Sequence, residues 1–447
     1  MNLKDFLKKK KICLWLIILL VFFLFLNQMD SLFLWDENAY LANGRNILSQ
    51  SAYSEDFRFP FIGYVLASMW FITGESVFIA KLTMILFTLG TAYLFYLISR
   101  KYFDDNHSLL MTVMFSLSSL IIYWGFRVYA DIISLFFIVL SFYFFLNEDK
   151  YGKKGLLLAG IFGSVAFIAR FSSFILIIAQ LIYLLIKKRP KCFGILLLGA
   201  LIAAAPWLLA NFIWHGDPLH NLVAQWDVVS MYTHPEPLDK HVFNFIISMH
   251  LLIIFMPAGI YSLYKRKADK WFFILLYLII FDIYFAFFVN LKDLRYYLIA
   301  LPFLFIWVGE GLLWMKKHVK YSHVFTIVAL ISVLISAFYM VSHITERGAC
   351  ENNGALMQSI SYVCSNVNTG DMIISNVWPY YGYPCNVSAV STWSDIKELL
   401  VHHDPSYVIY HDRGGLDYER AQLDENLILD ETLNGICGEK VYIYVQG

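Results

Sequence analysis

Charge is what this sequence has least of. Asp, Glu, Lys and Arg make up 15% of its 447 residues, against about 25% in a soluble domain. Acids and bases balance at 34 each, so no excess of one sign points to a nucleic acid partner. Internal repeats, low-complexity tracts and Gly/Ser linkers are also missing. No pair of histidines stands four apart as metal ligands on one helix would. No cofactor is therefore expected, with a divalent metal left open. Cysteine is sparse over most of the chain, and four of the six, Cys350, Cys364, Cys385 and Cys437, fall in the last quarter.

What remains is apolar: 59% of the residues are hydrophobic. A chain of this composition dissolves in lipid, where a helical span needs about 20 mostly apolar residues. Ile12–Met29 follows the basic run Lys8–Lys11. That start resembles a signal peptide, but no small-residue cleavage site follows, so a retained first helix is expected. Further runs are Val77–Ser99, Leu109–Phe126, Ile132–Leu146, Leu156–Ala169, Phe171–Ile186 and Cys192–Ile213. Val242–Tyr264, Trp271–Asn290, Tyr296–Met315 and Ser322–His343 complete the set. The expected fold class is thus an α-helical polytopic membrane protein with about eleven spans and a small C-terminal α/β domain. Phe61–Thr73 is too short to span and is expected to lie at the interface.

Basic clusters occur at Lys8–Lys11, Arg100-Lys101, Lys150–Lys154, Lys187–Lys191, Lys265–Lys270 and Lys316–Lys320. They fall on alternate loops, which by the positive-inside bias predicts a cytoplasmic N-terminus and an extracytoplasmic tail in a cell membrane. The predicted division is a membrane domain over residues 1–343, with outer loops 30–76 and 214–241, and a tail over 344–447. An even set of tail cysteines suggests two disulfides with three possible pairings. Asn386-Val387-Ser388 is a glycosylation sequon on the same side. Met372–Ser375, Tyr407–Tyr410 and Val441–Val445 read as strands, and Ala355–Val363 and Ser394–His402 as helices.

Nearly all ionisable residues sit at the edges of the apolar runs. Asp282, within Trp271–Asn290, is the main exception and is expected to pair with a polar group on a neighbouring helix. A transporter keeps such groups deep along a path; this pattern suits chemistry at the outer interface. The first outer loop holds adjacent acids in Trp35-Asp36-Glu37-Asn38. Asp36 either caps the following helix or acts in a site. The loop continues through Tyr53-Ser54-Glu55-Asp56-Phe57-Arg58-Phe59-Pro60 into the apolar helix. The long outer loop holds His215, Asp217, His220, Asp227, His234, Glu236 and Asp239, a mixture suited to a cover over a site or an acceptor groove.

An acidic pair after the first span, then Tyr-Leu and a Pro-led apolar helix, resembles the GT-C membrane glycosyltransferases. The likeness is to the branch of protein O-mannosyltransferases and aminoarabinose transferases. Arg127-Val128-Tyr129-Ala130-Asp131 is similar to that family's short second outer loop. Ala169-Arg170-Phe171-Ser172 and Lys292-Asp293-Leu294-Arg295-Tyr296 are similar to its later basic segments. The chain departs from it at Arg58-Phe59-Pro60, where the family often has Pro-Pro. Trp378-Pro379-Tyr380-Tyr381 is not the Trp-Trp-Asp motif of oligosaccharyltransferases.

The resemblance implies an enzyme that moves a sugar, with inversion, from a polyprenyl- or dolichyl-phosphate donor to a hydroxyl of a protein, glycan or lipid at the bilayer. It implies Asp36 as general base, with Glu37 as its alternate or a neighbour that tunes it. The donor phosphate falls to Arg295 first, with Arg58, Arg170 and Lys292 as alternatives and Tyr296 beside it. Asp131 would orient the acceptor or a basic partner. A transporter or flippase, and a non-catalytic scaffold of the same fold, are the competing classes.

Overall fold

The computed structural model describes residues 3–446 except 30–33, 49–50, 56, 231–234, 267–269, 353, 369, 392–399, 401–403, 413–416 and 436–437. A helical bundle occupies the chain to Asn352, and a five-stranded sheet with flanking helices follows.

The bundle begins with α1 (Leu3–Leu26), α2 (Trp35–Ile47), α3 (Phe61–Thr73), α4 (Val77–Ser99), α5 (Asp105–Ser116) and α6 (Ser119–Trp124). It continues through α7 (Ala130–Leu146), α8 (Glu148–Ala169), α9 (Phe174–Ile186), α10 (Pro190–His215) and α11 (His220–Ser230). Then come α12 (Leu238–Met249), α13 (Met256–Arg266), α14 (Trp271–Phe287), α15 (Leu301–His318) and α16 (Ser322–Asn352). Five helical stretches among the described residues are long and apolar enough to cross a membrane: Val77–Ser99, Glu148–Ala169, Pro190–His215, Leu238–Arg266 and His323–Glu346. Shorter apolar helices accompany them. The chain is a multi-pass membrane protein.

Helix ends follow local chemistry. Ser76 starts α4 by accepting a hydrogen bond from the Ile79 N–H (3.4 Å), and Asp104 starts α5 by accepting from the His107 N–H (2.9 Å), each satisfying a donor left open by the first turn. The run predicted over Leu109–Phe126 is broken between α5 and α6, where the Ser118 hydroxyl donates to the Phe115 carbonyl (2.7 Å) instead of leaving the backbone to continue. Val242–Tyr264 likewise divides into α12, a 3₁₀ turn over His250–Phe255, and α13. The last bundle helix runs nine residues past the predicted boundary at 343, to Asn352.

Two helix crossings depend on the absence of a side chain. A Cβ on Gly160 would lie 2.0 Å from the Leu196 carbonyl oxygen, and one on Gly199 would lie 2.2 Å from that of Leu157, so α8 and α10 touch backbone to backbone. Gly259 and Gly311 do the same where α13 and the 3₁₀ turn before it cross α15, with 1.9 Å to the carbonyl oxygens of Trp307 and Phe255. Lipid offers no hydrophobic gain between helices, and close approach through small residues supplies the dispersion contact instead. Asp282 has the polar neighbour expected of it: its carboxylate lies 3.6 Å from His241 Nε2 on α12.

The tail contains α17 (Ala355–Asn366), β1 (Met372–Ser375), α18 (Pro379–Cys385), β2 (Ser388–Ser391), β3 (Tyr407–His411), α19 (Asp417–Asn426), β4 (Ile428–Asn434) and β5 (Lys440–Val445). The strand order is β2-β1-β3-β5-β4, with β2, β1 and β3 parallel and β5 antiparallel to both of its neighbours. Period-two alternation sends Ile373, Ile409, Val441 and Ile443 to the face under α17 and α18. Ile374, Val408, Tyr442 and Tyr444 go to the face that meets Leu423 of α19. The three predicted strands are present. Strands β2 and β4 carry no strand-like pattern in the sequence; β4 is an exposed, polar edge. The helix predicted over Ser394–His402 lies almost wholly outside the described residues.

Cys364 and Cys385 form a disulfide joining α17 to the end of α18. The Cys350 side chain and Cys437 lie outside the described residues, as do Asp56, His234 and His402-His403. Cys13 and Cys192 are free thiols.

Candidate active site

Helix polarity brings distant loops to one end of the bundle. Helix α7 leaves that end at Asp131, α8 returns to it at Arg170, and the 3₁₀ turn Leu294–Ile299 before α15 brings Arg295. These segments surround a cavity of about 540 Å³. Its walls include Asp36 and Tyr40 of α2, Arg58 and Phe59, Tyr129 and Asp131, Arg170 and Phe171, Asp293, Arg295 and Tyr296. Helix α11, from the long polar loop, adds Gln225, Trp226 and Val228, and the tail adds Trp378.

Asp36 sits in the first turn of α2 between two guanidinium groups. Arg58 Nη2 donates to Oδ1 at 3.0 Å, and Arg295 Nη1 donates to Oδ2. The Asp36 side chain is 16% exposed. Burial pushes its carboxyl up, but Arg58 and Arg295 outweigh burial and hold it well below the usual carboxylate range. Arg58 is shared with Glu55, and Arg295 also pairs with Asp293 at 3.2 Å. The guanidinium of Arg295 lies over the Tyr129 ring (5.3 Å), and that of Arg170 over Tyr296 (5.1 Å). Asp131 forms an ion pair with Arg170.

The helix-capping role considered for Asp36 belongs to its neighbour. Glu37 is fully buried; its Oε2 accepts from the Leu34 N–H (2.8 Å) and from Arg127 (3.1 Å), and its Oε1 from the Val128 N–H (2.9 Å). Glu37 therefore ties the start of α2 to the loop before α7 and does not line the cavity. Asp131 does not cap either, since α7 is preceded by Tyr129 as its N-cap residue. Lys292 is a second correction. Its ammonium donates to the carbonyls of Phe285 (2.7 Å), Ala286 (2.8 Å) and Val289, so it closes the end of α14 instead of facing the cavity. A cation at the carbonyl-rich end of a helix is its ordinary partner.

Six of the eight predicted site residues thus share one cavity: Asp36, Arg58, Asp131, Arg170, Arg295 and Tyr296. Sequence reasoning missed Glu55, Asp293 and Trp378. Glu55 and Asp293 stand three residues before Arg58 and two before Arg295, and that acid–base spacing is visible in the sequence. Trp378 had none. Among the described residues no group of three His, Cys, Asp or Glu side chains could hold a metal ion. His215 and His220 instead stack ring on ring at 3.8 Å.

Much of the remaining lining is apolar. Phe59 stacks on Trp207 (5.4 Å) and on Phe171 (6.3 Å), with Phe167 edge-on to Trp207 (5.7 Å). Phe59 and Phe171, together with Tyr284, Phe285, Val289 and Leu291, line the cavity beside the guanidinium groups and make it amphipathic.

Residues 58–210 match the family described as dolichyl-phosphate-mannose-protein mannosyltransferase. No curated protein matches the chain in sequence. Among solved structures the chain is similar to ArnT from Cupriavidus metallidurans bound to undecaprenyl phosphate. The TM-score is 0.72 at 11% identity, over 96% of this chain and 97% of that one. It is also similar to the apo form of that protein, with TM-score 0.71 and 11% identity over the same shares. The Archaeoglobus fulgidus oligosaccharyltransferase in its apo form is similar too, with TM-score 0.57 and 12% identity over 89% of this chain and 69% of that one. The chain has the fold of the GT-C membrane glycosyltransferases, and residues 58–210 carry the sequence pattern of the mannosyltransferase family.

Proposed function

We propose that this protein transfers a sugar from a polyprenyl- or dolichyl-phosphate donor to a hydroxyl acceptor at the outer face of the membrane, inverting the anomeric centre. The observation that carries this reading is a single carboxylate held between two guanidinium groups in a cavity that is also lined by aromatic and aliphatic side chains. Such a cavity suits a ligand with a phosphate at one end of a hydrocarbon chain. A structurally similar protein was solved with undecaprenyl phosphate, and the archaeal oligosaccharyltransferase was solved with a tethered acceptor peptide.

The charge balance of the reaction explains the arginines. In the donor, phosphate is a diester with one negative charge. As the bond from the anomeric carbon to the phosphate oxygen breaks, the lipid phosphate leaves as a monoester and gains a second charge. Fixed guanidinium groups stabilise that developing charge more than the ground state. Arg295, Arg58 and Arg170 take this role, Tyr296 packs beside them, and Asp131 holds Arg170 in place. The acceptor oxygen forms the new bond to the anomeric carbon, and its proton passes to Asp36.

At rest Asp36 is a weak base, because the two arginines hold its proton affinity down. A donor phosphate competes for those same arginines. Its arrival loosens their hold on Asp36 and raises the basicity of the carboxylate just when an acceptor needs it. Donor binding therefore precedes productive acceptor binding.

The basic clusters support the placement outside. Glu148, Arg189 and Lys270 meet at the end of the bundle away from the cavity, among the clusters Lys150–Lys154 and Lys187–Lys191. By the positive-inside bias that end is cytoplasmic. The test is transfer by the purified protein in lipid nanodiscs, given radiolabelled polyprenyl-phosphate sugars and a mixture of peptide, glycan and lipid acceptors. The expected result is labelled acceptor of inverted anomeric configuration. Failure to transfer label from any of the donors would overturn the reading.

A further inference from the structure

Trp378 belongs to the tail, 323 residues from Glu55 in sequence, yet its indole N–H donates to Glu55 Oε1 at 3.2 Å. Tyr53 donates its hydroxyl to the same oxygen at 2.5 Å. The other oxygen of Glu55 holds Arg58, and Arg58 holds Asp36. An unbroken line of hydrogen bonds therefore runs from the tail to the carboxylate in the cavity. Its members are buried or nearly so, with Glu55 at 5% and the Arg58 side chain at 10% exposure, so water competes weakly for them.

The contact surface is built for a fixed geometry. The Trp378 ring meets the Trp35 ring edge to face at 4.6 Å, and Trp35 immediately precedes Asp36. A Cβ on Gly382 would lie 2.5 Å from the Tyr53 ring, so α18 lies flat against the loop that carries Glu55. Arg45 of α2 donates to the Tyr383 carbonyl at 2.7 Å, and the Ala52 N–H donates to Asn386 Oδ1 at 3.1 Å.

We propose that Trp378 is a positioning residue of the active site, which sets how Arg58 is divided between Glu55 and Asp36 and so couples the seating of the tail to the alignment of the base. Glu55 and Asp36 compete for one guanidinium. With the indole N–H and the Tyr53 hydroxyl satisfying Oε1, Glu55 presents only Oε2 to Arg58, and the far end of that guanidinium stays on Asp36. Without the indole N–H, Glu55 turns more of its charge toward Arg58 and draws it away from the cavity, so Asp36 loses its alignment and the charge developing on the leaving phosphate loses a cation. The tail is then a part of the catalytic unit, and an acceptor that shifts α18 acts directly on the base.

The catalytic half of this inference rests on the proposed transfer reaction; the structural half does not. The experiment uses the full chain in nanodiscs and compares wild type, Trp378→Phe, Glu55→Gln, the double variant, and Tyr362→Phe. Trp378→Phe keeps a ring against Trp35 and removes the N–H. Tyr362→Phe removes a tail hydrogen bond to Asp430 far from the cavity and controls for general loosening of the tail. Hydrogen exchange is read at the amides of Glu55 and Arg58, which are held by Asn43 Oδ1 and the Glu55 carbonyl. Transfer is read as kcat and donor KM.

The expected result for Trp378→Phe is faster exchange at both amides, kcat lowered about tenfold, as for loss of one hydrogen bond to a charged group, and an unchanged donor KM. Tyr362→Phe should move neither. The double variant should be no worse than the poorer single one, as expected for members of one network. Unchanged exchange in Trp378→Phe would overturn the proposal whether or not transfer is seen. So would independent, multiplicative effects of the two substitutions on kcat. If wild type transfers no sugar, the functional reading fails, while the exchange data still decide whether Trp378 holds the loop.

Discussion

The two ends of the bundle use the same device for different purposes. At one end Asp36 is held by Arg58 and Arg295. At the other Glu148 is held by Arg189 and lies 3.7 Å from Lys270. Each is a single acid between two bases contributed by distant parts of the chain. The difference lies in what surrounds them. Asp36 and both of its partners line the 540 Å³ cavity; Glu148, Arg189 and Lys270 do not. Lys270 is committed to the Phe145 carbonyl as well, and Arg189 closes a turn between helices. An ion pair that stitches loops together has no room for a third party. One that opens into a cavity can exchange its partner for a ligand of the same charge. Enclosure, more than pairing, separates a structural cluster from a candidate site.

The largest expected effect breaks this comparison at its acids. Asp36→Asn keeps the shape and one of the two accepting oxygens but cannot take a proton, and should lower the transfer rate by about 10²–10⁴-fold, the range for a lost general base. Glu148→Gln should leave the rate within about twofold and lower thermal stability instead, because it strips a partner from two cations. A comparable loss of rate in both variants would erase the distinction between the two ends.

The Asp131–Arg170 pair gives the next effect. Arg170→Gln leaves Asp131, a buried acid, without its cation, at a cost of about 3–5 kcal/mol in stability if the site does not relax, together with weaker donor binding. The double variant Asp131→Asn, Arg170→Gln should recover much of the stability and none of the binding. Recovery of both, read by thermal unfolding and donor titration, would make the pair purely structural.

The pH dependence is subtler. The pKa of Asp36 is depressed in the folded protein, so its stabilising contribution is present above the unfolded carboxylate value of about 3.9. That contribution is lost only as pH falls through the lower folded value. Wild-type Asp36 should thus stay ionised throughout mildly acidic conditions. Arg58→Gln removes one of the two cations and should move the acid limb of the rate profile upward, toward the ordinary carboxylate range. An acid limb that stays in place would show that Arg58 does not govern Asp36. The smallest effect is expected at Arg189, whose side chain is 40% exposed. Arg189→Gln should cost under about 1 kcal/mol of stability, with the transfer rate unaltered.

Much of this site is legible in sequence for a simple reason. In a chain with so few charges, an acid or base at the edge of an apolar run must sit near the interface. That places Asp36, Arg58, Asp131, Arg170 and Arg295 at loop ends without any coordinates. The helix Phe61–Thr73 is equally plain, bounded by Pro60 and Gly74. Which of two adjacent acids faces the cavity is not readable. Successive residues on a helix point about 100° apart, and the phase of α2 is fixed by the Glu37 contact to Leu34, Arg127 and Val128, not by local pattern. The choice between Lys292 and Arg295 depends in the same way on where α14 ends. Trp378 is hidden because its partner lies at the far end of the chain. Strand β4 is hidden because an exposed edge strand is polar on most of its length.

The most direct test of the account is equilibrium binding of a polyprenyl phosphate, the product of the proposed reaction, to the protein in nanodiscs. If the cavity-facing acid–base cluster exchanges Asp36 for phosphate, Arg295→Gln should weaken binding by about tenfold or more, the scale of one charge-assisted contact. Asp36→Asn, which removes the competitor, should tighten it, and Arg189→Gln at the other end should leave it unchanged. Equal affinity in wild type, Arg295→Gln and Asp36→Asn would contradict the account, because the two ends of the bundle would then differ in enclosure without differing in function.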